Sequence, residues 1–236
     1  ADGRTLPPVR NWLAWNEPNN PAFLRPQFRV VSGKPILHGA REYAKICNAV
    51  VRGVRTTSIG SMKVACGVTA PRGNNDPRSG RPATSPLAFL RGMKAGGAVG
   101  FDAYAHHPYY GRPSETPSTK PTNGTGNGAA TAVTLGNIDV LVREVTRLYG
   151  NKRIWITEYG YQTNPPDRIF GVSFQNQARY LTQAYGIAKR HPRIDMFLWF
   201  LLRDERRPAA DEGWQSGLVM ADGKRKPAFV AFQRLR

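Results

Sequence analysis

The chain has 236 residues, of which 40% are hydrophobic, 10% aromatic and 21% charged, enough for one sizeable core and enough to exclude a disordered or fibrous chain. Thirty-four Lys and Arg against 16 Asp and Glu give a net charge of +18; the basic residues are mostly Arg, stand singly and form no polybasic run, so they read as an arginine-biased solvated surface rather than a dedicated polyanion site. No stretch approaches the roughly 18 consecutive apolar residues of a membrane-spanning helix and no charged, apolar leader opens the chain at Ala1, which reads as soluble and already cut at its N-terminus.

Residues 9–15 form the first predicted strand, followed by a loop rich in Pro and Asn. Tyr43, Ile46, Cys47, Val50, Val51 and Val54 then recur at helical spacing, and residues 63–67 form the second strand. Ser85 and Pro86 open a helix continued by Leu87, Leu90 and Met93 and stopped at Gly96-Gly97, after which residues 101–105 form the third strand. Residues 111–136 shift to Pro, Ser, Thr, Gly and Asn and are predicted to be a long surface loop. Asn137 caps the next predicted helix, whose stripe runs from Ile138 to Leu148, and residues 154–157 are a β-branched buried strand. A helix over 173–190, a fifth strand over 196–200 and a short helix over 227–235 complete the order.

Strands without polar alternation, joined through helices, belong to a parallel sheet buried on both faces. The fold class is therefore α/β, and because no glycine-rich nucleotide loop follows a strand, a (β/α) barrel is preferred over a doubly wound sheet. In such a barrel, catalytic groups sit where strands end. Two of the chain's seven glutamates stand there: Glu17 in Trp15-Asn16-Glu17-Pro18-Asn19, and Glu158 in Ile156-Thr157-Glu158-Tyr159-Gly160. Paired carboxylates on one rim match glycoside hydrolysis, in which one protonates the leaving oxygen while the other attacks the anomeric carbon or activates water.

These two pentapeptides, in this order and on separate strand ends, resemble the fourth-strand acid/base motif and the seventh-strand nucleophile of clan A glycoside hydrolases, the (β/α)8 retaining glycosidases that include cellulase- and xylosidase-like enzymes. The resemblance implies that Glu17 is the general acid/base, Glu158 the nucleophile, and Asn16 a hydrogen-bond partner of a sugar hydroxyl. His107-Pro108-Tyr109 is similar to the clan's sixth-strand element, with the Tyr hydroxyl steadying the nucleophile, and Trp199 to the eighth-strand Trp that floors the subsite. For His107 and Tyr109 a satisfied core hydrogen bond is an equally open reading. Trp214 could wall a subsite or cover the barrel end, whereas Tyr104, His106, Tyr110 and Tyr161 read as packing or outer-cleft residues.

Only eight residues precede the first strand, so three further β/α units of about 30 residues each cannot fit before it. The five strands match strands four to eight, and the expectation is one catalytic domain over 1–236, an incomplete TIM barrel lacking its N-terminal units and possessing two unpaired, association-prone edges. The resemblance implies a carbohydrate substrate, a β-linked polysaccharide or glycoside; no cofactor, nucleic acid or membrane partner is expected, and because polysaccharides lie outside the cell, secretion is expected of the full-length parent. The alternative is a non-catalytic basic module that binds polysaccharide or nucleic acid. No metal site is expected, because His106 and His107 are adjacent and no carboxylate completes a triad by spacing. Cys47 and Cys66 read as buried thiols, with one bridge as the other possibility, and Asn123-Gly-Thr125 fits a glycosylation sequon.

Overall fold

The computed structural model describes residues 6–57, 59–121, 131–206 and 213–235. In chain order its elements are β1 (Asn11–Leu13), β2 (Arg29–Val31), β3 (Lys34–Ile36), α1 (His38–Arg55), β4 (Lys63–Thr69), α2 (Pro86–Ala95), β5 (Ala103–His106), α3 (Asp139–Tyr149), β6 (Arg153–Tyr159), α4 (Phe174–Arg190), β7 (Ile194–Trp199) and α5 (Pro227–Gln233). Five strands form one sheet in the order β1-β4-β5-β6-β7, and every neighbouring pair is parallel. The sheet curls through 207°, an incomplete TIM barrel with β1 and β7 at its edges.

The helices cover the convex face, where Tyr43, Cys47, Phe89, Leu90, Met93 and Leu141 pack on Val64, Cys66, Tyr104 and Ile154. Ala65, Val68, Ala103, Ala105, Trp155 and Met196 make a separate cluster that contains no helix residue, which identifies the concave interior. Three of the six are alanines, as suits inward positions crowded by the curl. Gly67 is held at φ +91°, and a Cβ there would lie 2.4 Å from the Tyr104 ring, so only glycine lets these strands approach. Among the described residues no helix is long and apolar enough to cross a membrane.

The structure corrects several expectations. The stretch read as loop before α1 contains the β2–β3 hairpin, whose Ser32 and Gly33 both have positive φ, as a type I′ turn requires. Its strands are exposed and so lack the apolar signature of a core strand. Asn137 closes a 3-10 turn, Leu135–Asn137, rather than capping α3: its Oδ1 accepts from the Thr134 N–H while α3 begins at Asp139. The cysteines are bridged, because the packing of α1 on β4 brings the Cα atoms of Cys47 and Cys66 to 5.8 Å. The Asn123-Gly-Thr125 sequon lies outside the described residues.

The last segment is fastened by a buried ion pair. Lys226 Nζ lies 2.8 Å from Asp204 and also donates to Thr163 Oγ1 and to the Gln215 carbonyl, holding the loop that carries Trp214. Burial raises the Asp204 pKa and lowers that of Lys226, each shift opposed by the partner's charge.

Candidate active site

Glu17 leaves β1 through a turn in which Trp15 and Glu17 both take positive φ, 77° and 40°, values that cost a non-glycine residue on the order of 1–3 kcal/mol unless neighbours enforce them. Three contacts enforce this turn. The Glu17 N–H donates to the Val68 carbonyl at 2.9 Å, beyond the end of the β1–β4 pairing. The fully buried Asn19 amide donates to the carbonyls of Ala70 and Thr84 and accepts from the Ala70 N–H at 2.8 Å. Tyr43, from α1, donates to the Ala14 carbonyl and accepts from the Gly67 N–H, spanning β1 and β4.

Glu158 sits near the end of β6, where the register with β7 shifts between Ile156 and Tyr159. Thr157 keeps the inward phase of Trp155 and meets His107, while the shift turns Tyr159 to the helix side, where it packs with Tyr161 and Tyr180. His107 follows β5, is fully buried, and stands between the two glutamates: its Nδ1 is 3.1 Å from Glu17 and 3.5 Å from Glu158, and its Nε2 is 3.1 Å from Thr157 Oγ1. When both carboxylates are ionised they can only accept, so Nδ1 carries a ring proton. The Tyr109 hydroxyl donates to Glu158 Oε2 at 3.1 Å, and burial together with the Glu158 charge holds it protonated far above the usual phenol range. Asn20 donates to Glu17 Oε2 at 3.3 Å and accepts from Arg81 at 3.1 Å.

One oxygen from each glutamate and the His107 Nδ1 lie within 4.8 Å of one another. Tertiary proximity therefore completes the carboxylate–histidine triad that spacing alone had excluded, and these donors could share one cation. Burial raises the Glu158 pKa; His107 draws it down, the Glu17 charge pushes it up, and the Tyr109 hydroxyl draws it down, with burial prevailing.

Asn16 is half-buried in the Glu17 turn, and Trp214 is half-exposed on the wall of a cavity of about 640 Å³ that includes Tyr109 but neither glutamate. Trp199 does not join them. Its indole N–H donates to the Ser216 carbonyl and its ring packs among Tyr159, Leu181 and Ala228 on the helix side, which corrects the expectation that it floors the cleft. The next residue, Phe200, faces Tyr109 and Trp214 instead, with ring centroids 6.5 and 5.9 Å away. His106 is a core residue, bonded to Thr69 and to the Val133 carbonyl, and burial lowers its pKa to about 3. The functional contacts of Asn19, Asn20, Thr157 and Phe200 escaped sequence reading, although all four adjoin the glutamate motifs or the last strand.

The family described as "Family of unknown function (DUF5722)" matches residues 8–236. By sequence the chain matches no curated protein. Among solved structures it is similar to a family 39 glycoside hydrolase from the gut symbiont Bacteroides cellulosilyticus, at 20% identity and TM-score 0.60 over 94% of this chain and 39% of that one. It is also similar to a GH39 β-xylosidase from Caulobacter crescentus, at 17% identity and TM-score 0.54 over 94% of this chain and 40% of that one. A GH128 endo-β-1,3-glucanase from Amycolatopsis mediterranei aligns at 16% identity and TM-score 0.56 over 96% of this chain and 73% of that one. The chain thus spans about two fifths of the length of the family 39 structures, and at these identities the similarity is one of fold.

Proposed function

The chain belongs to the DUF5722 family, and from that premise we propose that it carries the active site of a retaining O-glycosyl hydrolase acting on a β-linked polysaccharide or glycoside. One observation carries the reading: two strand-end glutamates have oxygens within 4.8 Å of one another, with His107 between them and the Tyr109 hydroxyl on Glu158. Oxygens that near are compatible with the roughly 5–5.5 Å between carboxyl groups of double displacement, whereas inversion seats a water between carboxyls ~6.5–9.5 Å apart.

In this reading Glu158 attacks the anomeric carbon while Glu17 gives its proton to the departing glycosidic oxygen. Glu17, now ionised, takes a proton from water; the resulting hydroxide equivalent attacks the anomeric carbon and releases Glu158 as carboxylate. Tyr109 and His107 steady Glu158, Asn20 positions Glu17, and Phe200 and Trp214 offer aromatic faces to sugar rings. The Cys47–Cys66 bridge supports a secreted location, since disulfides persist in oxidising compartments.

The test is incubation of the chain with activated 2-deoxy-2-fluoro β-glycosides followed by peptide mass spectrometry. A glycosyl adduct on Glu158 is the expected result. Adduct formation elsewhere, or turnover that inverts the anomeric centre, would sink the assignment.

A further inference from the structure

We infer that the glycan taken by this site is anionic, its carboxylate or sulfate groups held by a pair of arginines on each side of the two glutamates. The inference rests on the glycosidase reading for where the cleaved bond lies, but its test is one of binding. Two cavities connect to the carboxylates through hydrogen-bonded side chains. The larger, about 640 Å³, is reached through Tyr109, the partner of Glu158, and has Arg72 and Arg168 on its wall. The smaller, about 480 Å³, has Arg25 and Arg81 on its wall, and Arg81 donates to Asn20, the partner of Glu17.

The charge balance inside these cavities is one-sided. No acidic residue lines the smaller cavity. The larger has Asp167, whose Oδ1 already accepts from the N–H groups of Ile169 and Phe170. Arg72 has a loose partner in Glu115 at 3.9 Å and donates to the carbonyls of Tyr109 and Tyr110, which fixes its guanidinium beside the cleft. Arg81 gives one hydrogen bond, to Asn20, and Arg25 one, to the Pro21 carbonyl, so among the described residues most of their five N–H donors each are unused.

A neutral sugar offers such groups only single hydroxyl acceptors, whereas carboxylate and sulfate oxygens match the guanidinium fork with charge and two hydrogen bonds. The net charge of +18 adds a long-range field that draws polyanions toward the cleft. Nucleic acid fits less well, because its continuous phosphate backbone would have to run past Glu17 and Glu158, whereas a glycan can present neutral atoms there and anionic groups to either side.

The experiment measures binding to the Glu158→Gln chain by calorimetry, using β-linked oligouronates, sulfated β-glycans, neutral β-glucan oligomers and a single-stranded oligonucleotide. Either or both anionic glycans should bind at least about tenfold more tightly than the neutral glucan, and the arm that binds identifies the anion. Arg25→Ala/Arg81→Ala should lose about tenfold or more of that affinity, and Arg25→Lys/Arg81→Lys should recover part of it. The control pair Arg52→Ala/Arg190→Ala removes the same charge from the last turns of α1 and α4, at the opposite end of the half-barrel, and should leave affinity unchanged. Equal binding of neutral glucan, equal loss in the control pair, or oligonucleotide binding with the same Arg25/Arg81 dependence overturns the inference. None of these outcomes depends on turnover, so failure here is distinguishable from failure of the fluoroglycoside test.

Discussion

Glu17 stands beyond β1, a three-residue edge strand whose every residue is exposed, whereas Glu158 belongs to β6, a seven-residue strand paired on both sides and mostly buried. The first glutamate is held by hydrogen bonds that reach across from elsewhere, from the Asn19 amide and the Tyr43 hydroxyl, and by the covalent Cys47–Cys66 bridge that ties α1 to β4. The second is held by packing, with Tyr159, Tyr161 and Tyr180 behind it and Tyr109 stacked on Tyr159 at 6.2 Å. An edge strand has no neighbour to supply a packed wall, so directional polar clamps take over its positioning. The two halves of the candidate site should therefore fail in different ways.

The largest contrast is chemical. In the proposed reading Glu158→Gln should lower kcat/KM by about 10⁴-fold or more for every glycoside, since the neighbouring carboxylate, Glu17, serves as the acid/base. Glu17→Gln should do so only for poor leaving groups and spare the first step for a dinitrophenyl glycoside, which needs no proton. Pre-steady-state bursts separate the two, and equal losses with both leaving groups would contradict the division of roles.

Next comes the polar clamp. Asn19→Ala leaves the buried Ala70 N–H and the Thr84 carbonyl without partners and should cost roughly 3 kcal/mol, lowering Tm by roughly 6–12 °C. Hydrogen exchange should rise first in β1 and β4 and leave β6 protected; uniform exchange across the sheet would show that the two halves are not independently supported. Reducing the disulfide, whose ends are 19 residues apart, should remove about 3 kcal/mol by the loop-entropy measure and loosen the same half.

The smallest effect is on pH dependence. Burial raises the Glu158 pKa, and as nucleophile this group must be ionised, so kcat/KM should climb with pH on an acid limb centred above the ordinary carboxyl value of 4.5. Tyr109→Phe removes a donor that favours the carboxylate and should move that limb further up. A limb that moves down, or not at all, would show that the hydroxyl does not act on Glu158.

The sequence alone determined the order of β/α units, the helical stripes of α1 to α4, the five parallel strands and the two strand-end glutamates, because period, punctuation and strand-end position are local properties of the chain. Trp199 and Phe200 mark where local reading stops. Which of two adjacent aromatics faces the cleft depends on which phase of the β7 alternation the curled sheet turns inward: Met196 lies in the concave interior, so Phe197 and Trp199 fall together on the helix side. The Cys47–Cys66 bridge, the seat of His107 between the glutamates, and the Asn19 and Tyr43 clamps likewise join residues 19 to 90 positions apart. Only the packing of α1 on β4 and the curl of the sheet bring such residues within bonding distance, and no spacing along the chain encodes that distance.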